Sequence, residues 1–399
     1  MNKPKIRFNE FENIWTKSKL GELYEIYSGN TPSRSDSRNY QNGEIPWIKT
    51  TDLNNSIIYF NEEKISVYGA RKLKVLPEKS VLIAMYGGFN QIGRTGILAY
   101  PATINQALAA LVPVNEIDPN FLLNFLNFKK ESWRNVAASS RKDPNITKND
   151  VEKFIISFPS LPEQSAIGTL FRTLDDLLAS YKDNLTNYQS FKVTMLSKMF
   201  PKVGQTVPEI RLDGFEGEWG IKRADEIFKS VSEKNRVSLP VLSASQIDGM
   251  VLRDEIGIDI KYDEATLNNY KVVKPGQFVI HLRSFQGGFA LSKLEGITSP
   301  AYTIIDFIDK ENNLPAFWNS ILTSRDFIKR LETVTYGIRD GKSISFKDFS
   351  SLKFLFPTYD EQQAIGSYFS DLDNLINSYQ EKISQLETLK KKLLQDMFI

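Results

Sequence analysis

The chain of 399 residues contains no cysteine and only one histidine, His281. The absence of cysteine excludes disulfides and thiolate metal sites. A single histidine excludes histidine-rich metal sites, and a Ser-His-Asp triad would have to use His281. Lys+Arg (50) and Asp+Glu (48) nearly balance, so the net charge of +2 does not indicate a nucleic-acid partner. A basic groove can still form locally.

Long apolar runs are also absent. No run approaches the roughly 18 apolar residues of a membrane helix, and the N-terminal residues do not follow the pattern of a signal peptide. The contents of hydrophobic (41%) and charged (25%) residues are those of an ordinary globular protein. The length suffices for two or three domains. We therefore expect a cytoplasmic globular protein.

The sequence does contain an internal repeat. Residues 163–200 and 361–398 are identical at 15 of 38 positions without a gap, at an offset of 361 − 163 = 198. Both copies lack an internal proline and carry apolar residues three and four positions apart, which predicts two long amphipathic helices. Thirty-eight helical residues span on the order of 57 Å.

Each helix carries a narrow apolar stripe, which includes Leu177 in the first copy and Leu375 in the second. A long helix with such a stripe needs a partner along its length, and the obvious partner is the other copy. Two ordinary core helices are the alternative. The residues expected at the helix–helix contact are Ile167, Leu174, Tyr181, Leu185, Ile365, Leu372, Tyr379 and Ile383.

A second repeat precedes each variable region. The pattern P-x-I-R-[FL]-x-x-F-E-x-x-W occurs at residues 4–15 and 208–219, so each half of the chain has a leader, a variable region and a long helix. Short strands mixed with helices favour an α+β fold. Residues 45–49 read as a strand edge and residues 314–331 as a helix. Buried strands are expected at 80–86 and 277–282, each followed by paired glycines.

The order and duplication of these motifs resemble the specificity subunit of a type I restriction–modification enzyme. The resemblance rests on the two long helices and on four segments: E-Q-x-A-I-G after F-P-x-x in both halves, GNTPSR…GEIPWIKTTDL at 29–53 and SPAY at 299–302. It implies two repeated target recognition domains joined by two long antiparallel helices with a pseudo-two-fold. The segments expected are domain 1 at 1–160, helices at 161–203 and 360–399, and domain 2 at 204–359.

The resemblance also implies a function. Each recognition domain would read one half of a split double-stranded DNA sequence, and the helix pair would set the half-site spacing and dock two methyltransferase subunits. This chain would have no catalytic residue, no metal and no cofactor of its own. The methyltransferase partners would use S-adenosylmethionine to methylate adenine N6, and two restriction (motor-nuclease) subunits would use ATP and Mg.

Candidate DNA contacts are long polar side chains on predicted loops. Arg and Lys favour guanine edges, Asn and Gln favour adenine edges, and phosphates accept hydrogen bonds from all of them. The clusters 86–94 and 283–286 are the strongest, because they follow corresponding strands beside paired glycines that allow close approach. The candidates are Arg34, Arg38, Lys49, Tyr86, Asn90, Gln91, Arg94, Arg141 and Lys142 in the first region, and Lys234, Asn235, Arg236, Ser245, Gln246, Arg283, Ser284, Gln286, Arg339 and Lys342 in the second.

Two other functions stay open at this point. Asp52 with Glu62-Glu63-Lys64 imitates the D…E-x-K pattern of a nuclease, and a coiled-coil scaffold without a DNA role would also carry two long helices. His281, inside QFVIHL, is interpreted as a strand residue, with a base contact as the lesser alternative.

Overall fold

The computed structural model describes residues 3–88, 90–137, 145–245, 248–256, 264–281, 288–334 and 345–399. The chain forms two compact units. Unit 1 comprises Met1–Asp183 and Glu381–Ile399, and unit 2 comprises Asn184–Gln380. Each unit therefore contains a leader, a variable region and a part of both long helices, whereas the four segments expected from the sequence set the helices apart.

The strands of unit 1 are short. They are β1 (Thr16–Lys19), β2 (Ile26–Ser28), β3 (Ile45–Ile48), β4 (Ser56–Ile58), β5 (Lys64–Ile65), β6 (Val81–Ala84), β7 (Thr95–Leu98), β8 (Thr103–Ile104), β9 (Leu108–Leu111) and β10 (Ile155–Phe158). The helices are α1 (Leu20–Leu23), α2 (Val67–Ala70), α3 (Pro119–Phe128), α4 (Lys130–Ala137), α5 (Lys148–Lys153) and α6 (Leu161–Lys198). Residues of α6 from 184 onward belong to unit 2.

The main sheet of unit 1 has five strands in the order β2-β9-β6-β7-β4. Strand β6 is buried on both faces, with Val81 and Ile83 in one apolar cluster and Leu82 and Ala84 in another. This explains why its sequence is continuously apolar rather than alternating. Three further strands form a sheet in the order β5-β3-β8, and β1 pairs with β10.

The prediction that residues 45–49 form a strand edge was wrong. Strand β3 lies in the centre of its sheet, between β5 and β8. Proline in a strand favours an edge because it has no N–H to donate. Here Pro46 pairs with Lys64, and its carbonyl accepts a hydrogen bond of 2.8 Å from the hydroxyl of Thr103. The ladder with β8 covers only Trp47 and Ile48, so the central place of β3 does not require a donor at position 46 on that side.

Unit 2 repeats much of this architecture. Its strands are β11 (Gly220–Arg223), β12 (Phe228–Val231), β13 (Leu242–Ser245), β14 (Gly249–Leu252), β15 (Lys271–Val273), β16 (Phe278–Ile280), β17 (Phe289–Leu291), β18 (Gly296–Thr298), β19 (Thr303–Phe307) and β20 (Lys353–Phe356). Its helices are α7 (Ala224–Ile227), α8 (Pro315–Leu322), α9 (Arg325–Val334), α10 (Phe346–Ser350) and α11 (Tyr359–Met397), whose residues from 381 onward belong to unit 1.

The sheet order β12-β19-β16-β17 in unit 2 reproduces the order β2-β9-β6-β7 in unit 1, and β11 pairs with β20 as β1 does with β10. One prediction differs from the structure. Residues 314–331 form two helices, α8 and α9, rather than one. The break has a local cause, since the hydroxyl of Ser324 accepts a hydrogen bond from the N–H of Phe327 and so starts a new helix.

The E-Q pair at the start of α6 attaches this helix to the rest of unit 1. The guanidinium of Arg7, in the leader, donates two hydrogen bonds of 2.7 Å to the carboxylate of Glu163. The amide of Gln164 accepts a hydrogen bond from the backbone N–H of Asp118 (2.9 Å) and donates one to the carbonyl of Pro159 (2.9 Å). Since both side chains are 1% exposed, these bonds satisfy buried polar groups.

Unit 2 builds the same joint at the start of α11. Arg211 donates hydrogen bonds of 2.8 and 2.7 Å to the carboxylate of Glu361. Gln362 accepts from the N–H of Leu314 (3.1 Å) and donates to the carbonyl of Pro357 (3.2 Å). The letters that both halves share in their leaders and helix starts therefore hold the scaffold together.

The glycine of E-Q-x-A-I-G permits a close helix contact. A Cβ on Gly168 would lie 2.8 Å from Oδ1 of Asp118 and 3.0 Å from the backbone nitrogen of Phe121. Asp118 caps α3 by accepting hydrogen bonds from the first N–H groups of that helix. The N-terminus of α3 thus packs directly against the backbone of α6, where a side chain would not fit.

Phenylalanines that lie just after the ends of the long helices complete the aromatic cores. In unit 1, Phe398 lies with its ring 6.3 Å from Trp15, 5.5 Å from Phe121 and 5.7 Å from Phe171, measured between ring centroids. The equivalent rings of unit 2 are Phe200, Trp219, Phe317 and Phe369. None of the helices in the described part of the chain combines the length and apolar composition needed to cross a bilayer.

Candidate nucleic-acid interface

Two candidate cations of unit 1, Arg34 and Lys49, lie together on the carboxylate of Glu63. Lys49 approaches it at 2.6 Å, and Arg34 forms an ion pair with its other oxygen. Partial burial raises the pKa of Glu63, but the hydrogen bonds from Lys49 and Arg34 outweigh this and leave that pKa below its usual value. The guanidinium of Arg34 also stacks on Tyr40, 4.2 Å from the ring centroid. Its side chain is still 59% exposed, so a held cation faces solvent.

Arg38 lies in the same loop and is held separately. Its guanidinium donates hydrogen bonds of 2.9 and 2.8 Å to the carboxylate of Asp36. It stacks on Tyr68, 4.7 Å from the ring centroid, and Arg71 stacks on the same ring at 3.8 Å. Because Asp36 balances the charge of Arg38, this cluster keeps the positive charge of Arg71 on the ring of Tyr68. Arg71 follows α2 and was not among the residues predicted from the sequence.

The cluster 86–94 follows β6, as predicted. Gly87 and Gly88 adopt φ values of +115° and +72°, which confirms a turn that favours glycine. Tyr86 is 41% exposed and Asn90 is exposed. Gln91 and Arg94 are half-buried, and Oε1 of Gln91 is buried without a hydrogen-bond partner among the described residues. The structure therefore brings Tyr86 and Asn90 to the surface and turns the amide oxygen of Gln91 inward.

In unit 2, the loop Lys234-Asn235-Arg236 is organised around Glu233. This carboxylate pairs with Lys274 at 2.7 Å and with Arg236 at 3.5 Å. Hydrogen bonding to Lys274 holds the pKa of Glu233 below its usual value, with a smaller opposing effect of partial desolvation. Asn235 has a φ of +65°, so it forms the turn of the loop. A carboxylate that gathers two cations recurs here as around Glu63.

The other candidates of unit 2 are placed only in part. Ser245 ends β13, and its hydroxyl forms a hydrogen bond of 3.0 Å with the carboxylate of Asp248. Several predicted contacts lie outside the described residues. These are Arg141, Lys142, Gln246, Arg283, Ser284, Gln286, Arg339 and Lys342.

The helix pair is antiparallel within each unit. In unit 1, Asp175 pairs with Lys390, and Lys182 pairs with Glu387 at 2.7 Å, so later residues of α6 meet earlier residues of α11. In unit 2, Lys192 pairs with Asp373. The first and last of these pairs are equivalent under the repeat. Identical residues of the two copies thus form the same ion pair once in each unit.

The predicted packing residues are mostly buried. Five have exposures of 9% or less: Ile167, Leu174, Ile365, Leu372 and Ile383. Tyr181, Leu185 and Tyr379 are half-buried, and the ring of Tyr379 lies 5.3 Å from that of Tyr188, both in unit 2.

The stripe predicted through Leu177 and Leu375 was wrong by one position. These two side chains are 40% and 37% exposed, whereas Leu178 and Ile376 are 7% and 8% exposed. The buried residues follow steps of three and four along a narrow seam, which passes through 174 and 178 rather than 177.

The residues of the nuclease alternative have local structural roles or lie at the surface. The carboxylate of Asp52 accepts a hydrogen bond of 2.7 Å from the backbone N–H of Lys49, which caps a short turn. Glu62 and Lys64 are exposed. Within the described ranges, no three acidic or histidine side chains are grouped as metal ligands. His281 directly follows β16, and burial lowers the pKa of its imidazole.

The family model for the type I restriction modification DNA specificity domain matches residues 12–188 and 217–388. The chain belongs to this family. The two matches coincide with the two halves recognised from the repeat, so the chain carries the specificity domain twice. Membership decides against the nuclease and scaffold alternatives.

Three specificity subunits that match this chain are 22–25% identical to it. The specificity subunit of the type I restriction enzyme EcoR124I/EcoR124II from Escherichia coli is 25% identical over 186 residues, 45% of each chain. That of MjaIX from Methanocaldococcus jannaschii is 25% identical and covers 55% of this chain and 53% of that protein. The chain thus matches about half the length of both relatives. The MjaVIII subunit from the same organism is 22% identical and covers 95% of this chain and 91% of its own.

A solved structure of the S subunit of a type I restriction-modification system from M. genitalium has the same fold. Its TM-score is 0.63 at 15% identity, and the alignment covers 100% of this chain and 99% of that one. A second structure, from work on the complex assembly and conformational transition of a type I system, has a TM-score of 0.53 at 16% identity. These likenesses establish the α+β fold with two repeated domains.

Sequence reasoning overlooked some residues that matter in this specificity protein. Arg7 and Arg211 lie inside the repeated leader pattern, but nothing local indicates that they bind the glutamates of the helix starts. The signal was present, since both arginines and both glutamates recur between the halves. Arg71 offered no comparable signal, because its partner ring is recognisable only after folding.

Proposed function

We propose that this chain is the DNA specificity subunit of a type I restriction–modification complex and that each unit reads one half of a bipartite double-stranded DNA target. The duplication carries this proposal. Both units repeat one sheet order, one leader-to-helix joint and one Lys–Asp pair, while their cation-bearing loops differ. A constant scaffold with different loops suits one task performed on two base sequences.

The long helices serve as the spacer between half-sites. Half-sites one DNA turn apart are separated by roughly 34 Å. Helix α6 has 38 residues, and at about 1.5 Å per residue its length is about 57 Å. The same helices dock two methyltransferase subunits.

Catalysis belongs to the partner subunits. Two methyltransferase subunits use S-adenosylmethionine to methylate adenine N6, and two restriction subunits use ATP and Mg to move along DNA and cleave it. This chain holds no cofactor of its own and selects where the chemistry takes place. It works in the cytoplasm, where its partners and the DNA are found.

The proposed contacts of unit 1 centre on the cluster of Arg34, Lys49 and Glu63. A guanidinium held by a carboxylate and an aromatic ring loses little freedom when it binds, and its planar fork matches guanine or phosphate. In unit 2 the corresponding role belongs to the loop 234–236. Tyr86 and Asn90 supply further contacts in unit 1.

Methylome sequencing tests the proposal directly. A host without this gene is compared with one that expresses it together with its methyltransferase partner. We expect one new split motif that carries N6-methyladenine on opposite strands. A partner expressed without this chain is the control and should add no motif. An assembled, active complex that adds no motif would contradict the proposal.

The spacer role has its own test. Four residues, about one helical turn, are inserted at the equivalent positions after Asn184 and Lys382, so that the two helices lengthen together. We expect the same two half-sites at a new separation. A motif with its original spacing would show that the helices do not set it.

A further inference from the structure

Unit 1 contains a cleft of about 720 Å³ between its recognition domain and the two long helices. The recognition domain contributes the loop 54–57 and side chains of α3, and α6 and α11 contribute the opposite wall. Leucines from α3, α6 and α11 form apolar parts of the lining, and charged and amide side chains form the rest. The size and mixed lining are those of a small-molecule site.

The charges in this cleft are not balanced. Two ion pairs, Asp175–Lys390 and Lys182–Glu387, neutralise themselves. Three more cations line the cleft: Lys130, Arg172 and Lys391. In the described part of the chain none of the three has a carboxylate within 4.0 Å. Asp176 is the one remaining carboxylate of the lining, so the cleft favours an anion.

The internal repeat shows which of these charged residues recur in the helix pair of unit 2, which can be compared position by position with that of unit 1. At the offset of 198, Arg172 corresponds to Ser370 and Lys391 corresponds to Val193. The Asp–Lys pair between the helices, in contrast, is identical in both units. The helices of unit 2 therefore pair with the same Asp–Lys contact but without a cation at the positions equivalent to Arg172 and Lys391. These two cations are free to serve a ligand.

A buried amide gives a second, independent indication of a ligand. Asn124 lines the cleft and is 2% exposed. Its Nδ2 donates a hydrogen bond of 2.8 Å to the carbonyl of Asn120, but its Oδ1 is buried with no partner among the described residues. An unsatisfied buried acceptor costs free energy, so the site favours a ligand that donates an N–H or O–H there.

We propose that this cleft binds a nucleotide. Its phosphate lies against Arg172, Lys391 and Lys130, its base packs on the leucines, and an amino group of the base donates to Oδ1 of Asn124. Exocyclic amines of adenine and cytosine are donors of this kind. The nucleotide is either a free nucleotide or part of a DNA strand bound to the complex. Binding of a nucleotide within DNA rests on the proposed function.

The first experiment uses the complex of the full chain with its methyltransferase, saturated with S-adenosylmethionine so that the partner site is filled. ATP, AMP and inorganic phosphate are titrated calorimetrically. The double variant Arg172→Ser, Lys391→Val carries the residues that the repeat already has at these positions. For a free nucleotide, it should weaken AMP and ATP binding about tenfold or more, because it removes two charge-assisted contacts. Lys392→Val is the matched control, an exposed cation outside the cleft.

The second experiment measures binding of duplex DNA with the methylated motif against salt. If the nucleotide belongs to DNA, the double variant should reduce the slope of log K against log[salt] by about two, while Lys392→Val should not. Unchanged nucleotide binding together with an unchanged slope would overturn the proposal. If the unmodified complex has no sequence-specific DNA binding, the proposed function fails, and the nucleotide titration alone decides on the cleft.

The variant Asn124→Leu tests the base contact. This variant should weaken the binding of AMP, or of duplex DNA if the nucleotide belongs to DNA. The binding of inorganic phosphate should stay unchanged. Equal weakening of AMP and phosphate would overturn the assignment of Oδ1 to the base.

Discussion

Arg7 and Glu163, 156 residues apart in the chain, form a bidentate ion pair with two hydrogen bonds of 2.7 Å. Arg211 and Glu361 repeat this geometry in unit 2. The pair fastens each leader to the start of a long helix.

Glu163→Gln should lower the free energy of unfolding by about 2–4 kcal/mol, since it leaves the Arg7 guanidinium without its buried counter-charge. Urea denaturation measures the loss. Glu10→Gln, at an exposed position of the same leader, is the control and should change little. Equal stability of the two variants would show that the pair does not hold the joint.

The pair Asp175–Lys390 should contribute about 0.5–1.5 kcal/mol, because its side chains are only 27% and 21% exposed. A double-mutant cycle with Asp175→Lys and Lys390→Asp measures it by denaturation. Each single charge reversal should lower the free energy of unfolding, and the double reversal should restore most of that loss. The equivalent cycle at Asp373 and Lys192 is an internal replicate, and additive single effects in both would argue against a specific pair.

Gly168→Ala should destabilise unit 1 by about 1–3 kcal/mol, since the added Cβ meets the cap and backbone of α3. The higher helix propensity of alanine over glycine would by itself stabilise the helix by about 1 kcal/mol. The sign of the measured change therefore shows whether helix propensity or the steric clash with α3 is larger. Gly220→Ala is the control, because the nearest atom to a Cβ there lies at 3.5 Å. A stabilised Gly168→Ala variant would mean that α3 moves away at little cost.

Glu209 should make unit 2 sensitive to acid. Hydrogen bonds from Lys198 and Lys202 lower the pKa of its carboxyl from 4.5 to about 2. A carboxyl with a lowered folded pKa contributes stability above its unfolded pKa and loses it as the pH falls through the folded one. The contribution is therefore full above pH 4.5 and declines towards pH 2. In the variant Glu209→Gln, the free energy of unfolding should change less with pH in this window than in the unmodified protein. An identical pH profile in both proteins would show that Glu209 does not cause the acid sensitivity.

Arg34→Ala should weaken specific DNA binding of the assembled complex by about 1–3 kcal/mol if the guanidinium reads a base, and should relax selectivity at one position of the target. A uniform loss on all sequences would assign Arg34 to phosphate instead. Lys72→Ala, at an exposed position of the same unit, is the control. Gel-shift titrations on single-base variants of the motif distinguish these results, and an unchanged affinity would remove Arg34 from the interface.

Elements with a strong local signal were predictable from the sequence. Helices α6 (Leu161–Lys198) and α11 (Tyr359–Met397) cover nearly all of the two repeats in which the apolar periodicity predicted long helices. The strands β6 and β16 lie within the two predicted apolar runs. The turn at Gly87-Gly88 also followed from local chemistry, because positive φ values favour glycine.

Elements whose identity depends on distant partners were not predictable. The central place of β3 depends on its pairing with β5 on one side and β8 on the other. The burial of Leu178 instead of Leu177 depends on which side of the stripe faces the neighbouring helix. Candidate DNA contacts show the same limit. Loop chemistry selected Arg34 and Lys49, but only folding shows that Glu63 holds both.

The sequence by itself determined the duplication, the two long helices and the family, because each of these is written in local periodicity or in letters repeated at a constant offset. Tertiary structure alone decided the roles of the repeated letters. Arg7 meets Glu163, Asp175 meets Lys390 and Phe398 enters the core around Trp15, all across more than 150 residues of chain. Such contacts depend on three-dimensional packing and leave no local pattern, so only the folded chain shows why the repeated residues are there.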